Sequence, residues 1–292
     1  MSKKIRIISP GKSIDPKHLD FAEGYLRSKG YEVSLGIHAA GQFNYFSGTE
    51  EERLQDFQEA IDDEELDVVL CSRGGYGCIH LVDQIDFRKY LYYPKLIVGY
   101  SDITVFHNRM SRMGYESIHG TAPLNFEENT AEALDSLIKL IEGDEIEYDI
   151  PNHSLNREGE VTEKIVGGNL AILCSMIGTH DELRTRNRIL FIEEIGEPVY
   201  KIDRMMRQLK NAKLLSRLDG LIVGGITNVK DSSPTYGKTA EQVIRDVVEE
   251  YNYPVCFGFP AGHINDNRAI MFGREAKLLV SKTGAIFKQK GL

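Results

Sequence analysis

The period of the hydrophobic positions changes along the chain. Residues 5–8 form a short apolar run interrupted only by Arg6, and apolar residues then recur at helical spacing over 16–29 before Gly30. Residues 31–35 read as a second strand. Residues 49–61 read as a helix opened by Thr49, Glu50, Glu51 and Glu52, a capping box with acidic residues at the helix N-terminus. Residues 68–71 and 96–99 are continuous apolar strands, 103–113 suit a helix, and a helix over 131–142 closes the unit. Strands that are apolar throughout and alternate with helices belong in a parallel sheet covered on both faces. Ligands of such sheets sit beyond the carboxyl ends of the strands. Two polar turns with glycine fall on that edge, residues 72–77 (Ser-Arg-Gly-Gly-Tyr-Gly) and 99–102 (Gly-Tyr-Ser-Asp).

Residues 143–159 are polar, acidic and rich in turn formers. This predicts a first domain over 1–145, a linker over 146–163 and a second domain over 164–292. The second half opens with Val166, Gly167, Gly168, Asn169 and Leu170 before an apolar helix. A strand over 189–192 ends at Glu193, and a helix over 203–210, a strand over 220–223, a helix over 239–250 and a strand over 255–257 follow. The tail, 276–280 and 285–287 around a Lys-Thr-Gly turn, reads as a β-hairpin. The expected class is α/β, with a parallel-sheet domain followed by one that mixes helices and antiparallel strands.

Charge and composition narrow the function. The 292 residues carry 44 Asp and Glu against 35 Lys and Arg, a formal charge of −9. Binding nucleic acid or an anionic membrane needs a basic surface, so no nucleic-acid and no membrane partner is expected. No run of 18 apolar residues is present to span a bilayer. Near the N-terminus, Arg6 interrupts the apolar run, Pro10 ends it and no small-residue cleavage site follows, which reads as a first strand and not a signal peptide. Cys71, Cys78, Cys174 and Cys256 lack C-x-x-C spacing and lie among apolar residues or glycines, as reduced, mostly buried thiols of a cytoplasmic protein do. With no H-E-x-x-H and no histidines clustered with carboxylates, no metal site is expected.

Candidate chemistry gathers at three places. In residues 99–102 a serine on a sharp strand-to-helix turn would project its hydroxyl from the sheet, and the helix beyond would offer N–H groups to a developing oxyanion. The G-x-S-x-G pattern is incomplete, since Ile103 takes its last position, and a helix cap remains a competing role for Ser101. The turn of Arg73, Gly74, Gly75, Tyr76 and Gly77 can aim N–H groups at an anion or a carbonyl, yet lacks the Lys and Ser/Thr of a P-loop. A serine nucleophile needs a general base. Among eight histidines His263 lies in a Pro/Gly turn just after a strand, His119 is a rival in what reads as another turn, and His107 falls on the far side of the predicted helix. Glu193 and Glu194 end a buried strand, and alternation puts them on opposite faces, so at most one could hold an imidazole. A solvated acidic edge is the alternative.

Taken together, these segments resemble the LD-carboxypeptidase family, whose relatives include the microcin C self-immunity peptidases. The matching stretches run almost end to end: 8–10, 46–50 with Arg53 and Leu54, 73–77, 99–104, His119 and Gly120 with Pro123, 167–170, 177–179, 190–193 with Glu197, 202–204 and 258–263. The resemblance implies a Rossmann-like N-terminal domain, a C-terminal domain of swivelling β/β/α type, and a site in the cleft between them. It implies Ser101 as nucleophile, His263 as base and Glu193, not Glu194, as the acid that orients the base. The amides of Gly75 and Asp102 are the implied oxyanion hole. Arg73, Gly74 and Asn169 are candidates to contact substrate. No cofactor and a homodimer are implied.

The implied reaction cleaves an L-to-D amide next to a free carboxylate, releasing terminal D-alanine from a murein tetrapeptide through an acyl-enzyme. Relatives of the microcin type stack an aromatic nucleotide-like group, often on tryptophan. This chain has no Trp but 14 Tyr and 12 Phe, which leans toward the muropeptide over a peptide-nucleotide substrate. A non-catalytic, cleft-type ligand-binding protein is the reading from another class. A glutamine-amidotransferase-like enzyme is rejected because it needs cysteine where Ser101 stands.

Overall fold

The computed structural model describes residues 2–291. The first half of the chain builds β1 (Lys4–Ile8), β2 (Glu32–Leu35), β3 (Val68–Cys71), β4 (Leu96–Gly99) and β5 (Ser117–His119), all parallel, in the spatial order β2-β1-β3-β4-β5. Every residue of β3 is buried, as the continuous apolar run requires of a strand covered on both faces. The helices are α1 (Pro16–Ser28), α2 (Glu50–Asp62), α3 (Cys78–Leu81), α4 (Thr104–Met113) and α5 (Ala131–Glu142). Asp15 caps α1, and Thr49 with Glu52 forms both halves of the capping box on α2. Gly114 and Gly143, both left-handed, end α4 and α5.

The second half adds β6 (Ile146–Pro151), β7 (Gly159–Asn169), β8 (Ile189–Ile195), β9 (Gly220–Thr227), β10 (Val255–Cys256), β11 (Ile270–Phe272), β12 (Glu275–Ser281) and β13 (Gly284–Gln289). Its helices are α6 (Leu170–Ser175), α7 (Val199–Asn211) and α8 (Ala240–Val247). The second sheet runs β10-β9-β8-β7-β12-β13-β6, parallel from β10 to β7 and antiparallel beyond. The fold is thus α/β, a parallel sheet with a second, mixed sheet that contains the expected terminal hairpin.

Three expectations change. Residues 146–163, read as a linker, contain β6 and the start of β7, and β6 pairs with β13 along Tyr148↔Phe287. Ile146, Tyr148 and Ile150 are buried between exposed neighbours, a period-two signal that the acidic composition obscured. Residues 117–119, read as a turn, are the strand β5, every residue of it buried. Finally, β11 leaves the second half and pairs antiparallel with β5 at the edge of the first sheet. Partners some 150 residues apart leave no local pattern, so no boundary drawn in sequence separates the sheets. One core cluster indeed joins them, with Val98 and Ile118 packed among Ile165, Ile189 and Phe191.

Behind β4 and β5, His107 is buried with Nδ1 2.9 Å from Ser117 Oγ and Nε2 2.9 Å from the Gly99 carbonyl. A carbonyl only accepts, so Nε2 carries the proton and Nδ1 accepts from the serine. Burial lowers the pKa of His107 to about 4. The unfolded chain therefore binds a proton that the native state refuses as pH falls from about 6.5 to 4, and stability drops through that window. His107 alone contributes about 3 kcal/mol to that loss. The carboxyls of Asp56, Asp102 and Glu194, raised by burial, act in the opposite sense, so the test compares variants. Urea midpoints at pH 7 and pH 4.5 should lie farther apart in the wild type than in His107→Gln.

Candidate active site

The carboxyl ends of the parallel strands of both sheets carry the residues the sequence singled out. At the end of β4, Gly99 turns the chain at φ 154°, and Ser101 stands in the left-handed region at φ 65° as the first residue of a 3-10 turn that leads into α4. A non-glycine residue in that conformation is strained, and a strand-to-helix turn holding serine so is the geometry of a nucleophile elbow. The cap reading fits poorly, since the side chain of Ser101 makes no capping bond among the described residues. Asp102 is buried, and its Oδ2 accepts from the Cys78 amide at 2.9 Å, tying the elbow to the end of the glycine turn. Burial raises the Asp102 carboxyl above the usual carboxylate range.

The glycine turn touches the elbow directly. A Cβ on Gly74 would lie 2.6 Å from Ser101 Cβ, so only glycine lets the strands' loops close. Gly75 has φ 118°, and neither its N–H nor that of Asp102 has an acceptor inside the protein among the described residues. Arg73 donates from Nη1 to the Ser13 carbonyl at 3.1 Å, while its Nε is buried without a partner among the described residues.

From the second sheet, Glu193 lies on β8 just where the register with β9 shifts, and is fully buried. His263 follows β10 in a loop pinned by Gly262 N–H to Asn267 Oδ1 (2.7 Å) and by Thr227 Oγ1 to the His263 carbonyl (3.3 Å). Its Nδ1 donates to Glu193 Oε2 at 2.6 Å. Gly262, at φ 111°, presses on the same carboxylate, where a Cβ would sit 2.8 Å from Glu193 Cβ. The His263 ring packs 4.9 Å from that of Tyr100, the residue before Ser101. Elbow, imidazole and carboxylate are thereby gathered from β4, the β10 loop and β8. Among the described residues, however, the Ser101 hydroxyl makes no hydrogen bond with His263, where a direct contact was expected; such bonds are often long until substrate is bound.

The remaining candidates separate. His119 is buried with neither ring nitrogen partnered among the described residues and a pKa well below its ordinary value, so it belongs to the core between Tyr100 and Phe191. Glu194 faces away from His263. Its carboxylate accepts from Asn169 Nδ2, Ala171 N and Ile195 N, at the start of α6. Asn169, expected at substrate, is the N-cap of α6, accepts from Ile172 N and is 5% exposed; its N–H donates to Thr104 Oγ1 at 3.0 Å. It ties the end of β7 to the start of α4 at the site. Tyr100 and Gly262 entered the sequence reading only as members of their motifs, because their packing on His263 and Glu193 joins distant segments, and Asn267, which pins the loop through Gly262, was not singled out.

The four cysteines are free and buried. Among the described residues no three His, Cys, Asp or Glu side chains are placed to hold a metal, and no helix is long and apolar enough to cross a membrane.

Comparison with known proteins identifies the family of the chain. Residues 5–120 match the LD-carboxypeptidase N-terminal domain and residues 162–278 the LD-carboxypeptidase C-terminal domain. The chain is 32% identical over 290 residues to the probable murein peptide carboxypeptidase of Bacillus subtilis strain 168, covering 97% of this chain and 91% of that one. It is 29% identical over 289 residues to the murein tetrapeptide carboxypeptidase of Pseudomonas aeruginosa, covering 94% and 92%. The crystal structure of muramoyltetrapeptide carboxypeptidase from Oxalobacter formigenes superposes with a TM-score of 0.90 at 28% identity, covering 99% of each chain. The fold alone is shared with MccF in complex with glutamyl sulfamoyl guanosine, at a TM-score of 0.88 and 20% identity over 100% and 97% of the chains. With both domain matches in sequence order and relatives aligned over nearly their whole length, the chain belongs to the LD-carboxypeptidase family.

Proposed function

We propose that this chain is a serine-type carboxypeptidase that removes the terminal D-alanine of a murein tetrapeptide by cutting the L-to-D amide, acting in the cytoplasm as a homodimer. The reading rests on one observation above all. His263 donates from Nδ1 to buried Glu193 at 2.6 Å, and its ring packs against the residue preceding a serine held in a left-handed turn.

Glu193 fixes the imidazole with its proton on Nδ1, leaving Nε2 free to accept. Ser101 Oγ attacks the carbonyl carbon of the scissile amide while His263 Nε2 takes the hydroxyl proton. The carbonyl oxygen becomes an oxyanion that the Gly75 and Asp102 amides hold. On collapse the C–N bond breaks, and His263 returns its proton to the leaving nitrogen, freeing D-alanine. Water, deprotonated by His263, then attacks the ester carbon and regenerates Ser101. A donor pair of this kind contributes about 100- to 1,000-fold in turnover per donor.

The test is incubation of the purified protein with L-Ala-γ-D-Glu-diaminopimelyl-D-Ala and, separately, with an aminoacyl sulfamoyl nucleotide. Release of D-alanine from the tetrapeptide, with the tripeptide as second product, is expected. Cleavage of the nucleotide conjugate alone would move the substrate to the peptide-nucleotide class. Tight binding of the peptide without turnover would leave only a ligand-binding cleft.

A further inference from the structure

We propose that the crevice between the carboxyl ends of β1 and β3 is a carboxylate subsite, in which Lys12 acts with Arg73 to hold the free terminal carboxylate of the peptide. The inference rests on the carboxypeptidase reading and names the group that recognises the chain end.

The sheet order places the subsite. From β1 the chain moves outward to β2, and from β3 it moves the other way to β4, so the gap between β1 and β3 is the switch point at which open α/β sheets bind ligands. A bond of 2.6 Å between Ser9 Oγ and Ser72 Oγ ties the two strand ends together. Lys12 lies on the loop after β1 and Arg73 on the loop after β3, bridged through the Ser13 carbonyl.

The two glycines that follow Arg73 set the spacing. Gly74 abuts the nucleophile, and Gly75 abuts Lys12, whose Cβ would stand 2.7 Å from a Cβ at that position and whose Cδ would stand 3.5 Å away. The stem of Lys12 and Ser101 therefore flank adjacent residues of one turn. In a substrate, the terminal carboxylate is three bonds from the carbonyl carbon under attack, which matches that proximity. Lys12 Nζ lies 5.1 Å from the centre of the half-exposed Tyr45 ring and has no carboxylate partner among the described residues. Among the described residues the buried Nε of Arg73 also lacks an acceptor. A buried donor without an acceptor is rare and costly, so a turn of the Arg73 guanidinium toward an anion bound beside it would satisfy that donor. In a chain of net charge −9, two cations without carboxylate partners among the described residues, on loops that meet next to the elbow, are set for an incoming anion.

The test uses two synthetic tetrapeptides, one ending in D-alanine and one in D-alaninamide, and reads the ratio of kcat/KM between them. The wild type should prefer the free acid. Lys12→Met should shrink that preference roughly ten- to a hundredfold, the range for a hydrogen bond to a charged group, and Lys12→Arg should restore part of it. If Lys12→Met slows both peptides by one factor, or leaves the ratio intact while the wild type releases D-alanine, the carboxylate role alone is overturned. A wild type inactive on both peptides defeats the carboxypeptidase reading and this inference with it.

Discussion

Replacing Ser101 with alanine is expected to lower turnover of the tetrapeptide by roughly 10⁴- to 10⁶-fold while leaving the folded protein and its peptide affinity in place. The change removes one oxygen from a side chain that makes no hydrogen bond inside the protein among the described residues, so nothing in the core loses a partner. The left-handed turn at φ 65° is retained, since alanine carries the same Cβ and meets Gly74 in the same way. Steady-state release of D-alanine measures the loss, and calorimetric titration with the uncleaved tetrapeptide measures affinity. Turnover within tenfold of the wild type would remove Ser101 as nucleophile. Loss of affinity and turnover together would mean that the elbow itself had collapsed. The residual rate is informative as well, because any donors left in place still stabilise an oxyanion formed by attacking water.

The elbow was legible in sequence because its parts are local. Gly99, Ser101 and the strand before them lie within a few residues, and strand, turn and helix each carry their own signal. The same holds for the Thr49 capping box and for the terminal hairpin, whose partners are close in the chain. The rest depends on tertiary pairing. Strand β6 gains its role only against β13, and β11 only against β5, so composition suggested a linker in the first case and gave no strand in the second. His263 and Glu193 lie 70 residues apart, and spacing alone left His119 as a rival and Glu193 level with Glu194. Burial resolves both. His119 is enclosed in aromatic rings, and Glu194 is occupied by three amide donors, which leaves one imidazole and one carboxylate facing each other at the sheet edges. Resemblance to the family implied the same pair, which the residues taken singly did not.

Glu193→Gln is expected to lower kcat by roughly 10⁴-fold with little change in the fold, and for a reason distinct from loss of the nucleophile. The carboxylate is fully buried, and its Oε2 accepts the Nδ1 proton of His263 at 2.6 Å. Glutamine has the same shape and fits between Gly262 and the imidazole, but one face of its amide is now a donor. If the amide nitrogen turns to Nδ1, that atom must accept, and the ring proton moves to Nε2, where it blocks removal of the serine proton. If the amide oxygen turns to Nδ1, the tautomer survives but the imidazolium formed during attack loses its compensating charge in a buried setting. Both orientations slow acylation, so a burst of acyl-enzyme should disappear together with steady-state release. Thermal unfolding of the variant reads the fold separately. A variant that keeps its melting temperature and also keeps near-wild-type kcat would show that His263 does not depend on Glu193 for its orientation, and would break the link between β8 and the chemistry at β4.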